Sequence, residues 1–172
     1  MSLILRRFAL AAVLVAPVAA HADLRVSFIE GAPKDRFVIV NDGDCALPAA
    51  SVLVDLSTSA AGLVFDVTGA GAGVQVFQPF EITEGATALR SVPEVRDGQT
   101  EVQLDLLGLD AGQAVAFTID VDDTLGQRAI TVSRAEIEGA TVTLMQGDAA
   151  QTAAFTTEAQ AVLPLEVCAP RA

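Results

Sequence analysis

The chain contains no tryptophan and no tyrosine, and its only histidine is His21. His21 lies in an N-terminal segment that we expect to be removed, so the rest of the chain has no Ser–His or Cys–His pair for nucleophilic catalysis. A zinc site is also unexpected without histidine and with both cysteines available for a disulfide. Sugars would find no Trp or Tyr ring to stack on. These absences predict a protein that is not an enzyme.

Basic residues are also scarce, at ten Lys and Arg against 22 Asp and Glu, so the formal net charge is −12. An acidic surface repels the phosphates of nucleic acids and the headgroups of anionic membranes, so we expect neither as a partner. The same charge favours solubility and the binding of cations such as calcium.

The first 22 residues have the parts of a secretory signal peptide. Arg6 and Arg7 precede an apolar run from Phe8 to Ala20, and Ala20-His21-Ala22 is a small-x-small cleavage site. The run is shorter than the roughly 20 residues that span a bilayer, although a retained membrane anchor is the alternative. Residues 1–22 are therefore predicted as a signal peptide and 23–172 as one mature domain without a membrane span. Its location would be periplasmic, cell-surface or extracellular.

Removal of the signal takes two arginines away, which leaves eight basic residues against 22 acidic ones and a formal net charge of −14. Two cysteines remain, Cys45 and Cys168. An even count in an exported chain predicts a Cys45–Cys168 disulfide, because the compartments outside the cytosol are oxidising. Two unrelated buried thiols are the alternative.

The mature sequence has the pattern of short strands separated by Gly, Asp and Asn turns. Strands at a spacing of about 8–12 residues predict an all-β fold, either an antiparallel sandwich or a barrel, and we expect an immunoglobulin-like β-sandwich. The continuous apolar run in Arg36–Val40 predicts a strand that is buried on both faces. Residues 133–138 fit either a turn of helix or a strand end. The predicted strands cover 24–28, 36–40, 52–56, 63–67, 74–77, 102–106, 115–121, 130–132, 142–144, the vicinity of Phe155, and 161–167.

The glycine run Gly69–Gly73 resembles a nucleotide-binding loop only superficially. Its spacing is G-x-G-x-G, whereas the dinucleotide fingerprint is G-x-G-x-x-G and opens a helix. Because a strand pattern follows, we interpret the glycines as a hairpin or bulge and expect no nucleotide cofactor.

The best candidate site in the sequence is Asp120-Val121-Asp122-Asp123, at the end of a predicted strand. Asp120 and Asp122 would project to one face, with Asp123 entering the turn. Calcium binds six to eight oxygen ligands and suits such a cluster, so Asp120, Asp122 and Asp123 are the predicted calcium ligands. The alternative is a solvated turn, or an ion-pair set with Lys34, Arg36 and Arg128. A second strand-end group comprises Asn41, Asp42 and Asp44.

Two stretches, 37–45 and 109–119, resemble bacterial surface immunoglobulin-like modules. Three longer stretches are similar to bacterial secreted proteins called aggregation factor core proteins: FIEGAPKDRFVIVNDGDC (28–45), LVFDVTGAGAGVQVFQPFE (63–81) and FTIDVDDTLGQRAITV (117–132). That family is named after the core protein of sponge aggregation factors, which act in calcium-dependent cell adhesion. The resemblance implies a role at the cell surface with a protein or cell-surface partner.

The sequence thus predicts an exported, non-catalytic binding module, with calcium as the one possible cofactor. Two alternatives remain open. The protein could be a structural or accessory subunit of an envelope assembly, which would expose an apolar edge or patch. It could also be a glycoside hydrolase that uses paired carboxylates, which would need a cleft lined by them.

Overall fold

The computed structural model describes residues 23–67, 78–125 and 132–165. The predicted signal peptide, the glycine run at 69–73, the predicted strand at 74–77 and most of the predicted strand at 130–132 lie outside these ranges. No helix in the described part of the chain is long and apolar enough to cross a membrane. The one helical element there is a short 3-10 helix at Ala86–Ala88.

Ten strands make up the described fold. They are β1 Asp23–Ile29, β2 Asp35–Asn41, β3 Ala50–Asp55, β4 Leu63–Asp66, β5 Glu81–Glu84, β6 Glu101–Leu106, β7 Ala114–Asp123, β8 Thr141–Gln146, β9 Ala149–Ala154 and β10 Gln160–Pro164.

The strands form two antiparallel sheets. The first sheet has the order β10-β1-β2-β7-β4, with β5 also paired to β7, and the second has the order β6-β3-β8-β9. β7 is long enough to pair with β5 near its start and with β4 near its end. Alternate residues of both sheets point into one shared hydrophobic core. This arrangement confirms the predicted all-β fold with antiparallel sheets packed as a sandwich.

Aromatic rings fill the centre of that core. Phe37 on β2 stacks on Phe117 of β7 with ring centroids 4.9 Å apart, and the rings of Phe28, Phe65 and Phe155 pack around Phe37 at 5.2–6.5 Å. All five side chains are buried. Because these rings come from four strands and one loop, they tie the first sheet to the turn that leads into β10.

Three local predictions differ from the structure. The strand β5 was not predicted, because it carries two glutamates. The strand expected in the vicinity of Phe155 is β9, which ends one residue earlier, at Ala154. Residues 133–138 form successive turns rather than a helix or a strand. There Glu136 closes the turn by accepting hydrogen bonds from the backbone N–H and the hydroxyl of Ser133.

The third difference concerns β2, which was predicted to be buried on both faces. Only Asp35, Phe37, Ile39 and Asn41 are buried, while the intervening residues on the other face are half-buried. The prediction was wrong because no second layer in the described part of the chain covers the outer face of the first sheet.

Candidate functional site

The predicted calcium ligands lie at the end of β7, but the structure does not group all three. Asp120 and Asp122 are half-buried and alternate with the buried residues Ile119 and Val121, so they share the outer face of the first sheet as predicted. Asp123 follows with the opposite parity and points to the other side of the strand. The register instead places Asp66 of β4 directly opposite Asp120.

The carboxyl group of Asp120 has a raised pKa. Partial burial, together with the negative charge of Asp122, raises the pKa of Asp120 to about 6, although a hydrogen bond from the Val121 backbone opposes the shift. Asp120 is therefore more readily neutralised than an exposed aspartate.

Asp35 lies near Asp120, because it is paired with Ile119 of β7, and its side chain is on the core side of β2. It is 2% exposed, and its Oδ1 accepts a hydrogen bond from the Gly31 N–H at 3.0 Å. Desolvation raises the pKa of Asp35 to about 7, with a further contribution from the charge on Asp120, while the backbone N–H groups of Gly31 and Val121 pull it down. Sequence reasoning did not single out Asp35, because an Asp after a Pro-Lys turn reads as an exposed residue.

Two of the three basic residues considered as partners of the cluster, Lys34 and Arg36, are engaged elsewhere. Lys34 forms an ion pair with Glu81 of β5 and also donates to the Pro79 carbonyl. Arg36 pairs with Glu84 at 2.9 Å. Arg128 lies outside the described residues. Within those residues, no group of three His, Cys, Asp or Glu side chains is arranged to hold a metal ion.

The second acidic strand end, at Asn41, Asp42 and Asp44, lies at the opposite end of β2 and is largely structural. Asn41 is fully buried, and its Nδ2 donates to the carbonyls of Cys45 and Leu109 at 2.7 and 2.8 Å. Its Oδ1 accepts from the Gly43 N–H. Asp42 forms a two-pronged ion pair with Arg25 at 2.6 and 3.0 Å, which holds the pKa of Asp42 below its usual range.

Cys45 lies in the loop that this buried asparagine shapes. Its predicted partner, Cys168, lies outside the described residues, so the disulfide stays a prediction. The surrounding pairing is compatible with it, since the Asp42 N–H donates to the Asp23 carbonyl and Asp23 is paired with Pro164 of β10. The chain therefore leaves β10 at the end of the sheet that holds the Cys45 loop.

The outer face of the first sheet carries an aliphatic patch, which we define as Val38, Val40, Ala114, Ala116 and Val162. Strand register places Val40 beside Ala114 and Val38 beside Ala116, while Arg25 of β1 lies between Val40 and Val162. Val38, Val40 and Ala114 are half-buried, and Val162 is 46% exposed. Ala116 is fully buried.

Ion pairs divide and flank this patch. Arg25, paired with Asp42, lies between Val40 and Val162, and Lys34–Glu81 and Arg36–Glu84 lie towards β5. Each of these positive charges is therefore matched by a neighbouring carboxylate. An apolar area with a polar rim is the usual character of a binding surface on a soluble protein.

A separate cleft of about 520 Å³ lies beside β4 and β5. Its wall is mostly apolar, and Asp97 is the one carboxylate among the described residues that line it; neither Asp35 nor Asp120 contributes to it. The described residues that line it are Val67, Pro79, Phe80, Pro93, Val95, Arg96 and Asp97. The two carboxyl groups with raised pKa values thus lie away from this cleft.

Comparison with known proteins gives no functional assignment. No protein-family model and no curated protein matches the chain. Among solved structures, a family GH18 chitinase from Chromobacterium violaceum aligns with 85% of this chain at 18% identity and a TM-score of 0.32. The chain spans only 20% of the chitinase, and a TM-score this low does not indicate a shared fold.

Proposed function

We propose that this protein is an exported, non-catalytic binding module that acts at the cell surface through the outer face of its first sheet. The observation that carries the proposal is the aliphatic patch. A sheet face that is meant to stay in water normally carries polar side chains, whereas the middle of this one carries Val38 and Val40. A partner that covers this face would remove apolar area from water at about 25 cal/mol per Å².

The non-catalytic assignment is supported by the placement of the carboxyl groups. A glycoside hydrolase needs two carboxyl groups that flank a bound sugar in a cleft. Asp35 is enclosed and accepts backbone hydrogen bonds, so it lacks the access to substrate that a catalytic acid requires. In the part of the chain that the structure describes, the cleft beside β4 and β5 is lined by one carboxylate, Asp97.

Binding to cells tests this proposal directly. Labelled protein, purified from an envelope or culture-supernatant fraction, would be titrated onto cells of the producing strain, and its N-terminus sequenced. We expect an N-terminus at Asp23, saturable binding and visible cell aggregation. Recovery from the cytosol with Met1 intact would refute export, and binding that never saturates would refute the adhesive role.

Val40→Lys identifies the surface, and Leu53→Lys is its matched control. Leu53 is a half-buried aliphatic residue on the outer face of β3, in the middle of the other sheet. Both variants replace a central, outward-facing aliphatic side chain with lysine. We expect Val40→Lys to reduce cell binding at least about tenfold, as for a residue central to an interface. Equal binding by the two variants would refute the assignment to this face.

Calcium dependence is a separable part of the proposal, and it concerns Asp120, Asp122 and Asp123. Calcium needs six to eight oxygens, and the described residues offer no group of three acidic side chains arranged for one ion. The support is therefore limited to two carboxylates that share one face and repel each other, with Asp66 opposite one of them. A cation would relieve that repulsion.

A thermal titration separates a site from a diffuse cation atmosphere. A specific site saturates and raises the melting temperature by mass action, whereas exposed charges alone respond to ionic strength. We expect calcium to stabilise the protein more than sodium at equal ionic strength, and Asp122→Asn to abolish the difference. If calcium and sodium act alike and Asp122→Asn changes neither response, the cluster is a solvated strand end.

The aliphatic patch also favours a second candidate, a subunit of an envelope assembly. Such a subunit would be recovered in a stable complex of defined size from solubilised envelopes and would not aggregate cells. Loss of that complex in Val40→Lys but not in Leu53→Lys would favour the subunit over the adhesive module.

A further inference from the structure

We propose that β9 is a dimerisation edge, where a second copy of this chain adds its own β9 antiparallel about a two-fold axis at Thr152. This edge is separate from the aliphatic patch, so the inference goes beyond the proposed function. It follows from the direction of the free backbone groups of β9, from the absence of features that hinder strand addition, and from the charge along this side of the sandwich.

The pairing of β9 with β8 fixes which backbone groups of β9 are free. A two-residue turn joins the strands, with Gln146 opposite Ala149, and the residues that flank such a turn form a hydrogen-bonded pair. Every second residue from Ala149 therefore bonds to β8. Phe155 continues the alternation beyond the strand by donating to the Ala140 carbonyl. The N–H and C=O groups that point away from β8 belong to Ala150, Thr152 and Ala154.

These outward groups lie at an open edge. β9 is the last strand of the second sheet, and all three outward residues are exposed. Among the described residues, no backbone hydrogen bond from outside the sheet reaches them. The next outward N–H along the chain, that of Thr156, already donates to the Gln160 carbonyl at 2.9 Å. The open edge is thus three outward residues long, with Thr152 in the middle.

Such an edge is complementary to itself. When Thr152 is placed opposite Thr152 of a second, antiparallel β9, Ala150 of each copy falls opposite Ala154 of the other. All of these are hydrogen-bonded pairs, in which the two residues exchange N–H···O bonds. Every outward group of both copies then has a partner, whereas a shifted register leaves some without one. The contact presents the same surface from both copies, as a two-fold dimer requires.

The side chains favour the same register. On the outer face of the second sheet, the Thr152 hydroxyl lies 2.8 Å from the hydroxyl of Thr143 on β8. Pairing about the two-fold axis extends this row across the contact, with two threonines from each copy. Threonines that face each other on neighbouring strands stabilise a sheet, and the alanines on either side add no bulk that would keep the strands apart.

Sheet edges usually hinder strand addition with a charge, a proline, a bulge or a covering segment. β9 has none of these, since AAQTAA is uncharged and its register with β8 is unbroken. The other edges in the described ranges each have one. The Arg90 N–H bonds to the Asp105 carbonyl of β6, and the Phe65 N–H of β4 bonds to the Gln99 carbonyl. β5 has two glutamates and a shifted register, and β10 ends in Pro164.

Charge is the remaining condition, because a mature chain of formal net charge −14 repels its copies wherever carboxylates meet. Neither β9 nor β10, its neighbour in the other sheet, contains a charged residue. On the outer face of the second sheet the first acidic side chain inward from β9 is Asp55, two strands away and thus about 10 Å from the edge. Like charges approach only at the ends of the proposed pairing, where Asp148 comes opposite Thr156 and Glu158 follows.

Sedimentation equilibrium of the exported protein, with concentration and sodium chloride both varied, tests the stoichiometry. We expect a reversible equilibrium that stops at the dimer, because two-fold pairing occupies both edges. It should tighten with salt, which screens the repulsion between the turns. A protein that stays monomeric at every concentration, including one that binds only a strand of a different protein, would overturn the inference. Oligomers that keep growing with concentration would also overturn it.

Amide hydrogen exchange followed by NMR, below and above the concentration of half-dimerisation, tests the register. We expect exchange to slow with concentration at Ala150, Thr152 and Ala154. The residues between them should not change, because their N–H groups already bond to β8. Slowing confined to another segment would overturn the inference.

Thr152→Lys tests the axis of the dimer, and Thr143→Lys is its matched control. Both variants remove the hydroxyl contact between the two threonines and add the same charge to the same face. Only Thr152→Lys places two lysines directly opposite each other, so we expect an approximately tenfold weaker dimer for that variant alone. Equal dimerisation by the two variants would overturn the inference.

If Thr152→Lys fails to fold, Thr152→Pro and Thr152→Val replace the pair. Proline removes the outward N–H but no bond to β8, so it suits this edge position while breaking the bonds at the axis. Valine keeps the N–H and loses only the hydroxyl. We expect Thr152→Pro to be monomeric and Thr152→Val to dimerise, and a dimer that survives the proline would overturn the inference.

The outcomes distinguish this inference from the proposed function. Val40 lies in the other sheet, so Val40→Lys should reduce cell binding and leave dimerisation unchanged. A monomeric protein that binds cells through Val40 would overturn the inference and leave the proposed function standing. A dimer lost in Thr152→Lys, without any cell binding by the wild type, would support the inference and overturn the adhesive role. A dimer lost only in Val40→Lys would overturn the inference.

Discussion

Asp35 acts as an internal hydrogen-bond acceptor at the start of β2. Its carboxyl group accepts hydrogen bonds from the backbone N–H groups of Gly31 and Val121 and is almost fully removed from water. Burial raises its pKa to about 7, whereas an aspartate in an unfolded chain titrates near 3.8. This difference makes the stability of the fold depend on pH.

The sign of that dependence follows from proton counting. Between about pH 4 and 7 the native Asp35 holds a proton that the unfolded chain has lost, so the free energy of unfolding falls as pH rises. Asp120 acts in the same direction up to about pH 6. We expect the protein to be more stable at pH 5 than at pH 8, by a few kcal/mol at most.

Urea unfolding at several pH values checks this prediction. Asp35→Asn keeps an acceptor oxygen but removes the proton equilibrium, so it should flatten the pH dependence. Asp110→Asn is the control, because Asp110 is exposed in the turn before β7 and its substitution should leave the dependence unchanged. A wild-type protein that gains stability from pH 5 to 8 would contradict the assignment.

Asn41 illustrates what residue patterns could not reveal. The sequence places it correctly at a turn after a strand, because Asn-Asp-Gly is turn chemistry. Its bond to the carbonyl of Leu109 joins it to a loop 68 residues away, and local sequence carries no such information. Asp35 was missed because an Asp after a Pro-Lys turn is expected to be exposed, whereas its backbone partner Val121 lies on a distant strand.

At the level of strands, Gly85 controls how β5 joins the first sheet. It has a φ of +70°, and a Cβ added there would lie 2.2 Å from the Ala114 carbonyl oxygen. Because the clash is with backbone, it cannot be relieved by turning a side chain. β5 has shifted register at this point, where Glu84 rather than Thr83 pairs with Ala116.

We therefore expect Gly85→Ala to destabilise the fold by more than its backbone angle alone would require. Gly147→Ala is the matched control, since Gly147 also has a positive φ (+56°) but open space around its Cβ position. The control should cost about 1 kcal/mol and Gly85→Ala at least about 2 kcal/mol more. Equal melting temperatures for the two variants would show that β5 can move away at no cost.

The strands show which features of the fold hydrophobic periodicity can predict. Val115, Phe117, Ile119 and Val121 alternate strictly, and β7 follows that pattern. In β2 the pattern located the strand but not its exposure, because an apolar outer face looks the same in sequence whether a layer of the same chain or another molecule covers it. β9 was expected only from the neighbouring Phe155, because its own small side chains give no periodic signal.

The same limit applies to the candidate site. The shared face of Asp120 and Asp122 followed from strand geometry, but the sequence could not place Asp66 opposite Asp120, because that pairing joins strands separated by more than 50 residues. The aliphatic patch is likewise assembled from three strands, β2, β7 and β10. Only its two central valines stood out in the sequence, and they were interpreted as core.

For the molecule as a whole, the order of strands in the first sheet brings the two ends of the described chain together. β1 begins at Asp23 and pairs in register with β10 as far as Pro164. The Cys45 loop is attached at the same place through the Asp42–Asp23 backbone bond of 2.9 Å. A Cys45–Cys168 bridge would therefore attach the segment after β10 to the end of the first sheet where the start of β1 and the Cys45 loop already lie.

We expect this bridge to stabilise the mature domain mainly by restricting the unfolded chain. A loop of more than 100 residues corresponds to roughly 5 kcal/mol in the chain-entropy model, and measured values are often smaller. Reduction should thus lower the melting temperature while the far-ultraviolet spectrum keeps its β signature, since the core does not depend on the bridge.

Cys45→Ser should melt near the reduced wild type and should not respond to reductant, which separates loss of the bridge from other effects of the reagent. Peptide mapping without reductant should join the peptides that contain Cys45 and Cys168. Two unlinked thiols, or a wild-type melting temperature that reductant leaves unchanged, would show that strand pairing alone holds the C-terminal end in place.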